Sequence, residues 1–575
     1  MNPGFGAPVH PSQTYLDISQ GTRVLDDSYD RPLPKLSVDG GRVPKRRWRK
    51  QTRRAESAPI AVIPGLLAGA LDAYHIPVRA ERGINRPALI AVDERGRVRR
   101  MQNDQCPPRC PVGLNLVRAT HRELRDLVRL QRGRDMLIAI REPPAASGHQ
   151  LPIGIAGRGF DGGLTSDSTR TSGFVISTDI APTVLERFGV DVPEEIVGNP
   201  IRTEGAVELG PLRDLDRRIS APPQLGTVVG APILLWLLAA VFAGLASFRR
   251  AGRPAAAMFA LSVVYLPTML LVGAAIQPTE AVEALIAGIG SPLAAGLTLA
   301  VVRGYAAMAV ACAITVGFYA VDVVAGAGLT PLSVLGPNPA AGLRFYGIGT
   351  ELEAAFATMV PIGVGAWLGS KSDRSPRFAA AAFIAAALLA TVAFAPGRFG
   401  ADAGAAIVFP VGAAVAAAMT LQLSRRAMVI IFAVLPVGAL LLLVVASAVL
   451  DANLTQEIFG ADTPGELGDD IAERLRETGK GFVDPVYPAL LLVSTLLVVL
   501  GIRFRRTIAG WFGDRLAAEA GFVGALAATA VGAITNESGA SLFIVRTIVC
   551  TAAVGFFWAR SPRVGDPPTG RDGKP

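Results

Sequence analysis

The sequence predicts an α-helical polytopic membrane bundle of about eleven spans, preceded by a partial α/β domain. Three observations carry that reading. From Val228 to Trp558 long apolar runs alternate with short polar connectors. Almost every second connector is rich in Arg while the others are not. A chain of 575 residues that is 51% hydrophobic and 18% charged, with a mean hydropathy of +0.41, has more apolar surface than soluble cores can hold.

Taken in order, residues 1–57 read as the irregular start of the soluble part. They hold no apolar signal core and no membrane-length run. They do hold Lys45, Arg46, Arg47, Trp48, Arg49 and Lys50, followed by Arg53 and Arg54, a cluster expected to be a solvated loop, with binding of nucleic acid or anionic lipid as the alternative. The net charge of +9 is explained by topological Arg anchors, so nucleic acid is not an expected partner.

Residues 58–224 read as α/β. Apolar β-like stretches are expected at 88–92, 136–140, 152–156 and 173–177, with helices at 63–74 and 118–130 between them. Asp179 is the expected N-cap of a helix carrying Pro182 in its first turn and an apolar face at Leu185 and Phe188, closed by Gly189. Cys106 and Cys110 have the spacing of a small local disulfide or remain free thiols, while Cys312 and Cys550 read as small apolar residues of membrane spans.

The region 225–560 is the bundle. Its spans are expected near 228–247, 255–276, 283–301, 305–326, 353–369, 378–396, 402–422, 428–449, 486–502, 519–534 and 540–558. The first run is long enough at about 1.5 Å per residue to cross a hydrocarbon layer of about 30 Å, and it stops at Arg249 and Arg250. Connectors with Arg249, Arg250 and Arg253, with Arg303, with Lys371, Arg374 and Arg377, with Arg425 and Arg426, and with Arg503, Arg505, Arg506 and Arg515 fall on one side. The positive-inside rule makes that side cytoplasmic, together with a disordered tail at 561–575, in a multi-pass protein of the plasma membrane. With an odd number of spans the N-terminal domain is then extracytoplasmic. An external domain requires export, so either a hydrophobic segment precedes this sequence or one span is miscounted. The acidic connector 451–485 is expected to carry a surface helix or a lid over 472–477.

The stretch Gly173–Ile201, GFVISTDIAPTVLERFGVDVPEEIVGNPI, resembles the C-terminal end of domains in the alkaline phosphatase and sulfatase superfamily. Residues 13–23, 65–78 and 91–98 are similar to parts of bacterial membrane proteins that carry such a domain outside a polytopic region. The resemblance implies two metals held by Asp and His around a Ser or Thr nucleophile. His10, His75, His121 and His149 show no D-x-H or H-x-x-x-H spacing, so no metal ligands and no cofactor are expected here. Where that superfamily would place its last ligands, the loop 159–170 is rich in hydroxyls. Thr165, Ser166, Thr169 and Arg170 read either as an anion cradle or as an ordinary turn.

Three polar signatures interrupt the bundle, at 344–353, 396–402 and 535–539, all on the predicted external face. They supply Arg344, Tyr346, Glu351, Arg398, Asp402, Asn536 and Glu537 as candidate substrate-binding residues, with Arg546 and Asp322 at membrane depth. Arg344, Arg398 and Arg546 would balance Glu351, Asp402 and Glu537. Two readings stand side by side: an outward cluster that holds an anionic or lipid-linked envelope precursor for transport or transfer, and a structural or regulatory protein whose charged pairs brace helix ends. An external phosphohydrolase is the third.

Overall fold

The computed structural model describes residues 1–4, 9–58, 60–102, 112–131, 133–144, 150–220, 225–246, 252–337, 339, 344–371, 374–396, 399–400, 402, 404–435, 438, 487–535 and 539–561. The chain divides into two compact units. One comprises Met1–Pro222 with Asn338–Tyr346, the other Pro223–Pro337 with Gly347–Pro575.

The N-terminal unit contains helices α1 (Pro11–Gln20), α2 (Lys45–Ala55), α3 (Leu66–Ala73), α4 (His121–Leu130), α5 (Ile180–Phe188) and α6 (Leu209–Ser220). Its strands are β1 (Val78–Glu81), β2 (Arg100–Gln102), β3 (Leu114–Leu116), β4 (Met136–Ile140), β5 (Ile153–Gly157), β6 (Gly163–Thr165) and β7 (Arg202–Glu204). A parallel sheet has the order β2-β1-β3, and β4-β5 and β6-β7 are antiparallel pairs. Leu16, Ile18, Leu67, Leu71, Leu89 and Leu185 sit in one apolar core. Thr120 and Glu123 form a reciprocal capping box at the start of α4. Gly189, at φ 68°, closes α5 in the left-handed conformation that its lack of a Cβ permits.

Several sequence expectations fail in this unit. Residues 88–92 are not a strand, because Pro87–Ala91 forms a 3-10 helix. Pro87 fixes φ and lacks an N–H, which suits the first turn of a helix and not a central strand, and a short apolar run cannot by itself separate the two. The stretch 173–177 makes a single parallel bridge, Asn2 to Ile176, before a 3-10 turn begins at Ser177. Residues 1–57 are not irregular, since they contain α1 and α2. The basic cluster is not a loop either: α2 buries Trp48, Gln51, Arg54 and Ala55, a helical i, i+3, i+6, i+7 face hidden among cations in the sequence.

In the other unit, a π-helical turn (Leu225–Gly230) leads into α7 (Ala231–Ala246), followed by α8 (Gly252–Ile276), α9 (Glu280–Leu285), α10 (Ser291–Val301), α11 (Ala306–Val324), α12 (Thr350–Gly369), α13 (Pro376–Phe394) and α14 (Ala405–Thr420). After a helical stretch at 425–435 come α15 (Pro488–Arg503), α16 (Arg505–Phe512), α17 (Leu516–Thr535) and α18 (Gly539–Arg560). This is a helical bundle of membrane type. Among the described residues eight helices are long and apolar enough to cross a bilayer, a ninth if α15 and α16, bent by 74°, form one span. The eleven spans expected from the sequence exceed that count. Helix α14 falls below spanning length, and most of 428–449, like the 472–477 helix, lies outside the described residues.

Small residues set the packing of this unit. A Cβ on Gly521 of α17 would lie 2.3 Å from the Pro361 carbonyl of α12, and one on Gly524 would lie 2.4 Å from the Gly412 carbonyl of α14. Where Pro267 interrupts α8, hydroxyls of α11 reach its carbonyls: Thr315 donates to Val264 at 2.9 Å and Tyr319 to Pro267 at 2.9 Å.

Candidate functional site

Arg546, on α18, is fully buried, and its Nη2 donates to both carboxylate oxygens of Glu353 on α12, at 2.9 and 2.8 Å. Glu353 is equally buried, at 0% exposed. Nη1 lies 3.4 Å from the Thr529 carbonyl of α17, while Nε has no acceptor among the described residues. Gly532 of α17 makes the room, since a Cβ there would come within 2.0 Å of Nη1. Three helices thus converge on one charge pair. Both ions have left water, so truncating one would remove the opposite charge that offsets the burial of the second.

The sequence singled out Arg546 but matched it with Glu351, Asp402 and Glu537. The structure brings it to Glu353 instead. Positions 351 and 353 differ by about 200° around a helix, and only 353 faces α18. Glu351 is half-buried at the helix start and accepts the Thr350 hydroxyl at 3.2 Å. Glu353 was legible as part of the same acidic entry to the span, but the choice between two carboxylates needs the phase of the helix.

Ahead of α12, Gly349 occupies the N-cap, and the Ile348 N–H donates to the Gly400 carbonyl at 2.9 Å. The two polar signatures, 344–353 and 396–402, therefore meet through backbone. Asp402 is buried: its N–H donates to Phe394 O, and its carboxylate accepts the Ala405 N–H at 3.1 Å at the start of α14. Asp322 accepts the N–H groups of Leu329 and Thr330 and the Thr330 hydroxyl, which fixes the turn after α11. Arg398, Asn536 and Glu537 lie outside the described residues.

Arg344 and Tyr346 belong to the N-terminal unit. There the Arg170 guanidinium lies 3.9 Å from the Tyr346 ring centre, and Phe345 sits between the Phe174 ring, at 5.7 Å, and the Arg23 guanidinium, at 4.6 Å. Arg170 adopts φ 51°, left-handed for a residue with a side chain. The hydroxyls of the 159–170 loop turn inward: Ser166 and Ser168 donate to Asp179 at 2.7 and 2.6 Å, and Thr169 donates to Phe174 O. Thr165 pairs with Arg202 in the β6-β7 ladder. Asp179 also accepts the N–H groups of Ile176 and Asn199 at 3.0 Å. It occupies the N-cap position of α5 as expected, but its carboxylate makes no cap bond there and instead ties the 166–168 loop to Ile176 and Asn199. Burial still pushes its carboxyl above the ordinary carboxylate range, against the pull of those hydrogen bonds.

One polar cluster escaped the sequence reading. Helix α1 is buried on every side, polar residues included. Gln13 Nε2 donates to Asp17 at 2.7 Å, and Arg54 donates to Gln13 at 3.1 Å, to Arg31 O at 3.0 Å and to Asp26. The Tyr29 ring covers its guanidinium at 3.5 Å. Desolvation raises Asp17 to about 7 and lowers Arg23 to about 10. The helical spacing of Gln13, Asp17 and Gln20 was the available signal. Among the described residues no cluster of His, Cys, Asp and Glu is placed to hold a metal ion.

No known protein family, no curated protein and no solved structure matches this chain.

Proposed function

We propose that this chain is a multi-pass plasma-membrane protein of the bacterial cell envelope that handles an anionic or lipid-linked precursor at an outward-facing polar site, by transport or transfer. The observation that carries the proposal is the Glu353–Arg546 pair, buried among three apolar helices with the Arg546 Nε lacking an acceptor among the described residues. An ionised pair at membrane depth is costly, and such pairs mark ligand pathways more often than they improve stability. A phosphate or carboxylate has the oxygen geometry for the donor that Glu353 leaves open.

The eleven-span topology belongs to the same proposal. It is reached when α14, the α15–α16 pair and the helix beginning at 425 each cross the bilayer, and it places the N-terminal domain outside and the C-terminus inside. The likeness of that domain to the alkaline phosphatase and sulfatase superfamily rests on Gly173–Ile201. A reporter fused at Gly465 is expected outside, and a cytosolic reading would invert the arrangement.

A second reading, that the pair is a structural brace, is favoured by the hydrogen bonds from one Nη2 to both Glu353 oxygens. The test purifies the full chain from its native membrane in mild detergent and identifies co-purifying anionic lipids by native mass spectrometry. Wild type is expected to retain a lipid-linked anion that Glu353→Gln/Arg546→Gln, neutral and of similar shape, loses while remaining folded. Equal retention by both supports the brace and removes the precursor site.

A further inference from the structure

We infer that the outer face of α2 is a docking surface for anionic phospholipid headgroups. Lys45, Arg46, Arg47, Arg49, Lys50 and Arg53 are all exposed on this eleven-residue helix, and none has an ion-pair partner among the described residues. Their i, i+3 and i, i+4 neighbours are cations as well: Lys45 with Arg49, Arg46 with Arg49 and Lys50, Arg49 with Arg53. Such like-charge spacing weakens a helix. An ordinary solvated helix face mixes signs, and α2 contains no acid.

The inner face holds this charge in place. The Trp48 indole N–H donates to Glu94 O at 2.9 Å, Gly96 packs against the indole ring, and Arg54 is fixed by Gln13, Asp26 and Arg31. The same packing brings the 94–97 turn alongside. The Val43 N–H donates to Gly96 O at 2.9 Å and Arg42 bridges Arg97, so exposed Arg42, Arg95 and Arg97 extend the basic field. Nearby acids are fewer: Asp39, Glu56, Asp93 and Glu94, of which Asp93 is occupied by the N–H groups of Arg95 and Arg97. A rigid, single-sign surface fits an extended array of phosphates.

A bilayer is favoured over a soluble polyanion by connectivity. Four residues separate Ser220, the end of α6, from Leu225, where the apolar turn and helix begin, so headgroups are present at high effective concentration without a second binding event. Polybasic segments beside membranes bind anionic lipid through this field, which salt screens.

The experiment reconstitutes the full chain in nanodiscs with an acceptor dye on the headgroups and a fluorescent amino acid at position 50, or at exposed position 126 of α4 as control. Replacing phosphatidylcholine by a mixture with phosphatidylglycerol is expected to raise energy transfer from position 50 by about twofold or more, reversed at about 1 M salt where the screening length is about 3 Å. Arg46→Glu/Arg49→Glu/Arg53→Glu is expected to abolish the gain while keeping the buried Trp48 emission. No dependence on phosphatidylglycerol, or an equal change at position 126, overturns the proposal. A response to added polyphosphate but not to anionic lipid overturns it in favour of a polymer.

Discussion

Breaking the Glu353–Arg546 pair one side at a time should cost far more than removing it whole. Both residues are 0% exposed and are joined by hydrogen bonds of 2.9 and 2.8 Å. Unit charges about 4 Å apart at an effective dielectric constant of about 20 attract by about 4 kcal/mol. Loss of one partner from a buried pair costs a similar ~3–5 kcal/mol, because the other ion stays buried without its opposite charge. Glu353→Leu and Arg546→Met should each destabilise the bundle by that amount. The double variant should recover most of it, since a well-packed apolar replacement of a buried pair is often neutral. Thermal unfolding of the full chain in detergent, run as a double-mutant cycle, reads the coupling directly. Gly532→Ala is the independent check, because its Cβ would occupy the space of Nη1 at 2.0 Å and should mimic the Arg546 single variant. Additive single effects, or a harmless Glu353→Leu, would show that the two charges do not depend on each other.

The contribution of Asp17 to the stability of the N-terminal unit should fall as pH rises from about 4 to about 7. Burial raises Asp17 to about 7 in the folded chain against about 3.9 unfolded, so the folded state holds the proton more tightly. The stabilisation is complete below the unfolded value and lost as pH passes the folded one, a change of about 4 kcal/mol at most. Hydrogen exchange of peptides spanning 11–20 should show that slope, flattened in Asp17→Asn; an unaltered slope in the variant would refute it. Ser166→Ala and Ser168→Ala should each cost about 1–3 kcal/mol by leaving the buried Asp179 carboxylate short of a donor, read as faster exchange across 163–188, and unchanged exchange would mean the loop is held otherwise. Gly521→Ala should push α12 and α17 apart, at about 1–3 kcal/mol, because its Cβ would lie 2.3 Å from Pro361 O. Gly501→Ala, open on all sides, is the control, and equal melting temperatures would argue against tight packing there.

Hydropathy made the bundle legible, because a run of apolar side chains has few alternatives to a lipid-facing or buried helix. The acidic entry to α12 and the cation in α18 were visible as exceptions to an apolar background. Local rules also reached Gly189 and the helix that it closes. Short apolar runs such as 88–92 were ambiguous, since strand and buried helix share a pattern over five residues, and the basic stretch of α2 concealed the buried spacing of Trp48, Gln51 and Arg54.

The amino-acid order by itself determined where water-avoiding segments begin and end, because that is a property of side chains taken a few at a time. Tertiary structure alone decided that Arg546 meets Glu353 and not Glu351, that Ser166 and Ser168 face Asp179, and that α1 is buried with its polar residues. Those choices depend on the angular phase of helices and the approach of residues far apart in the chain, which no local pattern encodes.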